Sequence, residues 1–198
     1  RRIGAVAGHA IDRLGVAGES ARAGGHSDSR QRPRVAGTAR PGTAFARAGQ
    51  STQLVVGASE SNDGVILTKA EALYKRFQLR RVYYSAFSPP QFTDPELAKD
   101  PTPPMREHRL YEADWLIRHY GFAAHEIASS LENGNLDLTK DPKLAWALKH
   151  RGLFPVDVNR ASKSVLLRIP GIGVRNVNRI LKIRRFHRIK LGDLVRLK

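Results

Sequence analysis

Gln53-Leu54-Val55-Val56-Gly57-Ala58 and, one helix-length later, Arg81-Val82-Tyr83-Tyr84-Ser85-Ala86-Phe87 are the two stretches that decide the fold class. The first is a short apolar run rich in β-branched residues and closed by glycine, the pattern of a buried strand. The second is aromatic and β-branched and stops at Pro89-Pro90, which cannot continue a ladder. Between them Asn62 or Asp63 can cap a helix whose Ile66, Leu67, Ala70, Leu73, Tyr74 and Phe77 share one face. Strand, helix of about four turns and strand make a parallel βαβ unit with a right-handed crossover. The expected class is therefore α/β in this part of the chain.

Downstream, a Pro- and Asp-rich loop from Ser88 to Pro104 leads to a long amphipathic helix over Met105–Tyr120, ended by Gly121. Its expected buried face is Leu110, Ala113, Asp114, Leu116, Ile117 and Tyr120. A short helix over His125–Leu131, a turn at Asn133-Gly134 and a helix started by Asp141-Pro142 follow. His108, Asp114, His119 and His125 do not combine into a metal site. His108 and Asp114 fall on different helix faces, and His119 and His125 span a helix break, so structural roles are expected. Upstream, residues 1 to about 48 consist mainly of Arg, Ala and Gly, with no apolar period, and the first lysine is Lys69. The expectation there is a disordered leader, read either as a basic arm touching phosphate or as residues from a misplaced start or reading frame. A short Ala-rich helix around Ile11–Ala17 would be marginal in isolation.

The C-terminal part is expected to be all-α, and its central feature is Ile169-Pro170-Gly171-Ile172-Gly173. Before it, Asn159 offers a cap, and Val165, Leu166 and Ile169 form the apolar face of a first helix that Pro170 ends. Gly171 and Gly173 supply the backbone freedom of a tight turn, and Ile172 points back to lock two helices together. A second helix over Val174–Arg184 buries Val177, Ile180, Leu181 and Ile183. The arrangement is a helix-hairpin-helix. The start of its second helix presents unpaired amides with the positive end of the helix dipole behind them, which suits a phosphate and needs no particular base. From Arg160 onward twelve basic residues face the single acid Asp193, and Arg175 and Arg179 lie one turn apart beside the hairpin. Gly171, Ile172, Gly173, Val174, Arg175, Asn176, Arg179 and Lys182 are therefore the expected DNA-binding residues, gripping phosphate without reading sequence. A plain helix-helix connection in a protein-interaction module is the alternative. Asp193 stands where glycosylases with such a hairpin carry a catalytic Asp, but Gly192-Asp193-Leu194 reads more simply as a helix cap.

Composition agrees with an anionic partner. The 198 residues carry a formal charge of +16, with 41% hydrophobic content, enough for a real core. No run approaches the ~18 apolar residues of a spanning helix, and the N-terminus lacks a secretory pattern, so a soluble cytoplasmic protein, nucleoid-associated and without a membrane partner, is expected. There is no cysteine, which excludes disulfides, thiolate nucleophiles and cysteine-held metal clusters.

Four blocks, Ala48–Ala58, Arg81–Pro89, Arg106–Leu116 and Phe154–Asn159 with the hairpin, resemble in order and spacing the C-terminal part of the DNA modification/repair radical SAM protein family. The resemblance runs from about Phe45 to the end. It implies a remnant of a (β/α) barrel followed by a helical helix-hairpin-helix domain. In that family an N-terminal half supplies a CxxxCxxC motif for a [4Fe-4S] cluster, the barrel binds S-adenosylmethionine and the tail binds DNA. Here the thiolates are missing, so no cofactor is expected on this chain and radical chemistry lacks its electron source. Enzymatic activity is left open. The resemblance further implies a fragment, with the leader where the rest of the barrel should be and Leu191-Gly192-Asp193-Leu194 beginning a helix that leads onward. Because strand C-termini face the cofactor in barrels, it also marks Gly57, Ser59 and Ser85 as cofactor-contact candidates, against ordinary strand-end packing. The expected organisation is a leader over 1–48, a βαβα remnant over 49–122 and a helical region over 123–198, with the hairpin at about 155–185. One alternative is part of a complete radical SAM enzyme whose cluster-binding half is encoded elsewhere. An isolated pair of parallel strands is poorly protected, so aggregation, a protein partner or that missing half is expected.

Overall fold

The computed structural model describes residues 48–91 and 97–197; the leader, with the short helix expected inside it, lies outside the described residues. Strands β1 (Ser51–Val56) and β2 (Arg81–Ala86) pair in parallel, from Ser51 opposite Arg81 to Val56 opposite Ala86. Helix α1 (Asp63–Phe77) makes the crossover. The mixed α/β class is as the sequence indicates. Of the two cap candidates Asn62 is the one used, its Oδ1 accepting from the Val65 amide at 3.0 Å. Asp63 is instead fully buried, where it accepts from the Leu136 amide at 2.9 Å and from Arg106 Nε at 2.7 Å.

The first strand differs from the buried strand that its apolar run suggests, and the second is exposed on the same side. Ser51, Gln53, Val55, Arg81 and Tyr83 are exposed, while Val56, Val82 and Tyr84 are buried. Both α1 and α2 (Pro104–Tyr120) pack on the same side, through Leu54, Val56, Val82 and Tyr84, so the other side has no cover among the described residues. Parallel sheets ordinarily carry helices on both faces, which is why a continuous apolar run alone suggested full burial. On α2, Leu110, Ala113, Asp114 and Leu116 are buried as expected, and Gly121 closes the helix at φ 68°. Asp114 holds the core together: its carboxylate accepts from Tyr74 Oη at 2.6 Å, Tyr84 Oη at 3.2 Å and Arg118 Nε at 2.7 Å. Burial, helped by that carboxylate, raises both phenols above their ordinary pKa and keeps them donors.

Helices α3 (Ala124–Ala128) and α4 (Pro142–Lys149, capped by Asp141) follow, joined by the turn at Asn133-Gly134, where φ is 50° and 80°. Their Ala124, Ile127, Trp146 and Ala147 belong to the same apolar cluster as the strands. The core therefore changes after Phe154 and not at the expected boundary near residue 122. A second cluster, Leu166, Leu167, Val177, Ile180, Ile189 and Leu197, is built by α5 (Lys163–Leu167), α6 (Val174–Ile183), α7 (Leu191–Val195) and the segment between the last two. Tyr120, at the end of α2, packs on both clusters. No helix among the described residues is long and apolar enough to cross a membrane.

Candidate nucleic-acid interface

Helix α5 is shorter than its apolar pattern suggests, and its cap is Ser162, whose Oγ accepts from the Val165 amide at 3.3 Å. Asn159, the expected cap, instead clamps the chain beyond α6: its Oδ1 accepts from the Ile189 amide at 2.8 Å and its Nδ2 donates to the Ile189 carbonyl at 3.2 Å. Asp157 draws residues 157–161 into a turn first, so the helix cannot begin there. The chain then bends through Ile172 N donating to the Ile169 carbonyl at 3.2 Å. Gly171 sits at φ 77°, and a Cβ there would meet nothing, so the requirement for glycine is conformational. Gly173 differs from expectation. Its φ of −89° suits any residue, and what constrains it is proximity, since a Cβ would lie 3.3 Å from Tyr120 Oη.

Gly173 caps α6, and the first intrahelical bond runs from Val177 N to the Gly173 carbonyl at 2.9 Å. The amides of Val174, Arg175 and Asn176 have no acceptor among the described residues. Along the same helix Arg175 and Lys182 are exposed and Arg179 half-buried, none with an ion-pair or hydrogen-bond partner for its side chain among the described residues. Val177 and Ile180 face the second core; Leu181 and Ile183 are only partly buried. Ile172 is partly buried against that core, as the lock the sequence implies. The cation count shrinks in three dimensions. Arg168 is committed to Glu126, with Nη2 at 2.6 Å and 2.8 Å from its two oxygens, and Arg184 donates to the Ala161 carbonyl at 2.6 Å.

Two polar contacts join the hairpin to the first core. Arg168 reaches Glu126 while lying over Phe122 and Trp146. Burial works against the Glu126 carboxylate, but the hydrogen bonds from Arg168 and from the Ala123 amide outweigh it and hold its pKa below the ordinary value. The second contact is Lys143, 7% exposed, whose Nζ donates to the Ile172 carbonyl at 2.7 Å and lies 4.7 Å from the centre of the Tyr120 ring. Burial pushes the Lys143 ammonium down to a pKa of about 8, against the opposing influence of Asp141.

The strand-end candidates do not come together. Gly57 and Ser59 line a polar hollow of about 280 Å³ with Ser61, Asn62, Thr102 and Arg106, while Ser85 lies on the exposed sheet face and accepts from Gln53 Nε2 at 2.9 Å. A Cβ on Gly57, at φ 84°, would collide with the Thr102 side chain, whose Oγ1 donates to the Val56 carbonyl at 3.0 Å. At the start of α1 the amides of Asp63, Gly64 and Val65 are taken by Asn135, Gly134 and Asn62. Arg106 is held by Asp63 and the Ser61 carbonyl. A hollow whose donors are already engaged offers an added cofactor few hydrogen bonds. The donor set also does not fit an iron-sulfur cluster: the chain has no cysteine, and among the described residues no three His, Asp or Glu side chains converge on one point. Asp193 lies in the first turn of α7, its Oδ2 accepting from the Lys190 amide at 2.9 Å, a bond that holds its carboxyl below the ordinary pKa. That is the capping role, with the residue placed inside the helix and reaching back.

A neighbouring feature escaped the sequence reading. Tyr111, Glu112, Trp115, Leu116 and Tyr120 of α2 and Asp141, Pro142 and Lys143 at the start of α4 line an open groove of about 390 Å³. The spacing of Tyr111 to Trp115 and of Glu112 to Leu116 to Tyr120 was the available signal, since residues four apart stack along one side of a helix. No family model matches the chain, and no curated protein or solved structure compared with it gives a match.

Proposed function

We propose that the chain binds DNA through a helix-hairpin-helix formed by α5, the Gly171 bend and α6, holding the phosphate backbone without reading base sequence. The observation that carries this reading is the set of open amides at Val174, Arg175 and Asn176, with Arg175, Arg179 and Lys182 along the same helix unpaired among the described residues. Amide dipoles and guanidinium groups stabilise any phosphate oxygen alike, so affinity depends on backbone geometry and salt. Gly171, Ile172 and Gly173 shape the turn, and Asn176 adds a polar side chain to the same helix start. The resemblance to the DNA modification/repair radical SAM family supports the reading and makes the strand pair a barrel remnant. A place in the cytoplasm beside the nucleoid goes with it. Radical chemistry is not expected of this chain alone, because the thiolates for a cluster are absent from its sequence.

The test is a titration of a labelled duplex with the full chain and with Gly171→Val and Arg175→Ala. Weakened binding by both variants, equal for unrelated duplex sequences, is expected. Binding as tight as that of the unaltered chain by both would remove the site from the hairpin, and salt-independent binding would favour a protein-interaction module.

A further inference from the structure

The groove beside the hairpin is apolar in its body, and Trp115, on its wall, is 51% exposed. A half-exposed indole in the wall of a concave groove offers a flat apolar surface on which another ring can stack. Neighbouring side chains hold the ring in place: His119 lies 4.2 Å away centre to centre and Arg118 5.6 Å from the ring centre, and both line a different hollow. Tyr111 is fixed as well, its hydroxyl accepting from the Tyr84 amide at 3.0 Å and donating to the Tyr84 carbonyl at 2.9 Å. The groove is thus a set of positioned aromatic rings, already formed before any ligand arrives.

Its other end touches the proposed phosphate site. Tyr120 Oη is the atom that a Cβ on Gly173 would approach, and Lys143 in the groove wall donates to the Ile172 carbonyl. From Tyr120 back to Trp115 is a rise of about 7.5 Å along α2, within reach of a base one or two nucleotides along a strand whose phosphate sits on α6. Two polar atoms at this end have no partner among the described residues, the Tyr120 hydroxyl and Asp141 Oδ2, because both cap bonds of Asp141 use Oδ1. A free carboxylate oxygen suits the amino groups on the edges of adenine, cytosine and guanine. An aliphatic peptide side chain would use neither the flat ring faces nor these acceptors.

We propose that this groove seats an unpaired nucleobase of a single strand, stacked on Trp115 and reached from a phosphate held at the hairpin. The proposal rests on the hairpin reading and adds a preference for unpaired over duplex DNA. In a duplex the bases are already stacked on each other and cannot enter the groove without leaving the helix.

The test uses the full chain, a single-stranded oligonucleotide and the duplex of the same sequence. Trp115→Ala should weaken single-strand binding about tenfold to a hundredfold and leave duplex binding unchanged. Trp115→Phe, which keeps a stacking ring, should restore most of the loss. Because Trp146 is buried, quenching of tryptophan emission by the single strand should disappear in Trp115→Phe. Arg175→Ala separates the two readings, since it should weaken single-strand and duplex binding together. If Trp115→Ala binds the single strand normally while Arg175→Ala weakens both, the groove is no base site and the hairpin stands. If Trp115→Ala is selective and Arg175→Ala has no effect, base stacking on Trp115 stands, but the hairpin assignment falls and with it the phosphate from which the base is reached. Equal losses for strand and duplex in Trp115→Ala would overturn the base-stacking proposal.

Discussion

Arg175→Ala offers the sharpest quantitative test of phosphate binding at α6. Each cation that neutralises a phosphate releases condensed counterions, so the logarithm of affinity falls with the logarithm of salt at a slope of about −0.9 per contact on duplex DNA. Arg175, Arg179 and Lys182 are the cations along α6 without a side-chain partner among the described residues, whereas Arg168 and Arg184 are committed within the protein. Three contacts give a slope of about −2.7, hence roughly a fortyfold loss of affinity between 50 mM and 200 mM salt. Removing Arg175 should bring the slope to about −1.8 and the loss to roughly twelvefold over the same range. Fluorescence anisotropy of a labelled duplex at several salt concentrations measures both slopes. A slope near zero in the unaltered chain, or an identical slope in the variant, would refute the assignment. A slope much steeper than expected would mean that exposed cations elsewhere, such as Arg185 and Arg188, join the contact.

Gly171→Ala should cost about 1–2 kcal/mol in urea unfolding, because its φ of 77° disfavours any Cβ although no neighbour blocks one; a neutral result would mean that the bend relaxes to another conformation. Lys143 binds its proton less tightly when folded than when unfolded, so its contribution to stability should rise as pH increases from about 8 towards its ordinary value, and Lys143→Met should flatten that rise in unfolding curves. Glu126→Ala should destabilise by roughly 2–4 kcal/mol, since it leaves the Arg168 guanidinium over Phe122 and Trp146 without its carboxylate. The depressed Glu126 carboxyl gives the opposite pH arm: its contribution is present above the ordinary carboxylate pKa and lost as pH falls through the lower folded value, an acid loss that Glu126→Ala should lack.

The linear chain determined those features whose physics is local. A β-branched run closed by glycine, an aromatic run stopped by prolines and a four-turn apolar face between them are enough for a parallel strand pair, because period and propensity act over a few residues. Asn62, Gly121, Asp141-Pro142 and Gly171 were legible for the same reason, each being a capping or turn position whose chemistry is its own. Tertiary structure decided which side groups remain free. Nothing in the order of residues says that Glu126 reaches Arg168, that Lys143 settles on the Ile172 carbonyl, or that Ser162 caps α5 while Asn159 clamps Ile189. The same holds for Trp115, whose exposure depends on how the start of α4 lies beside α2, a relation between segments far apart in the chain. Cations can be counted along a sequence, but their availability depends on distances that only the folded chain sets.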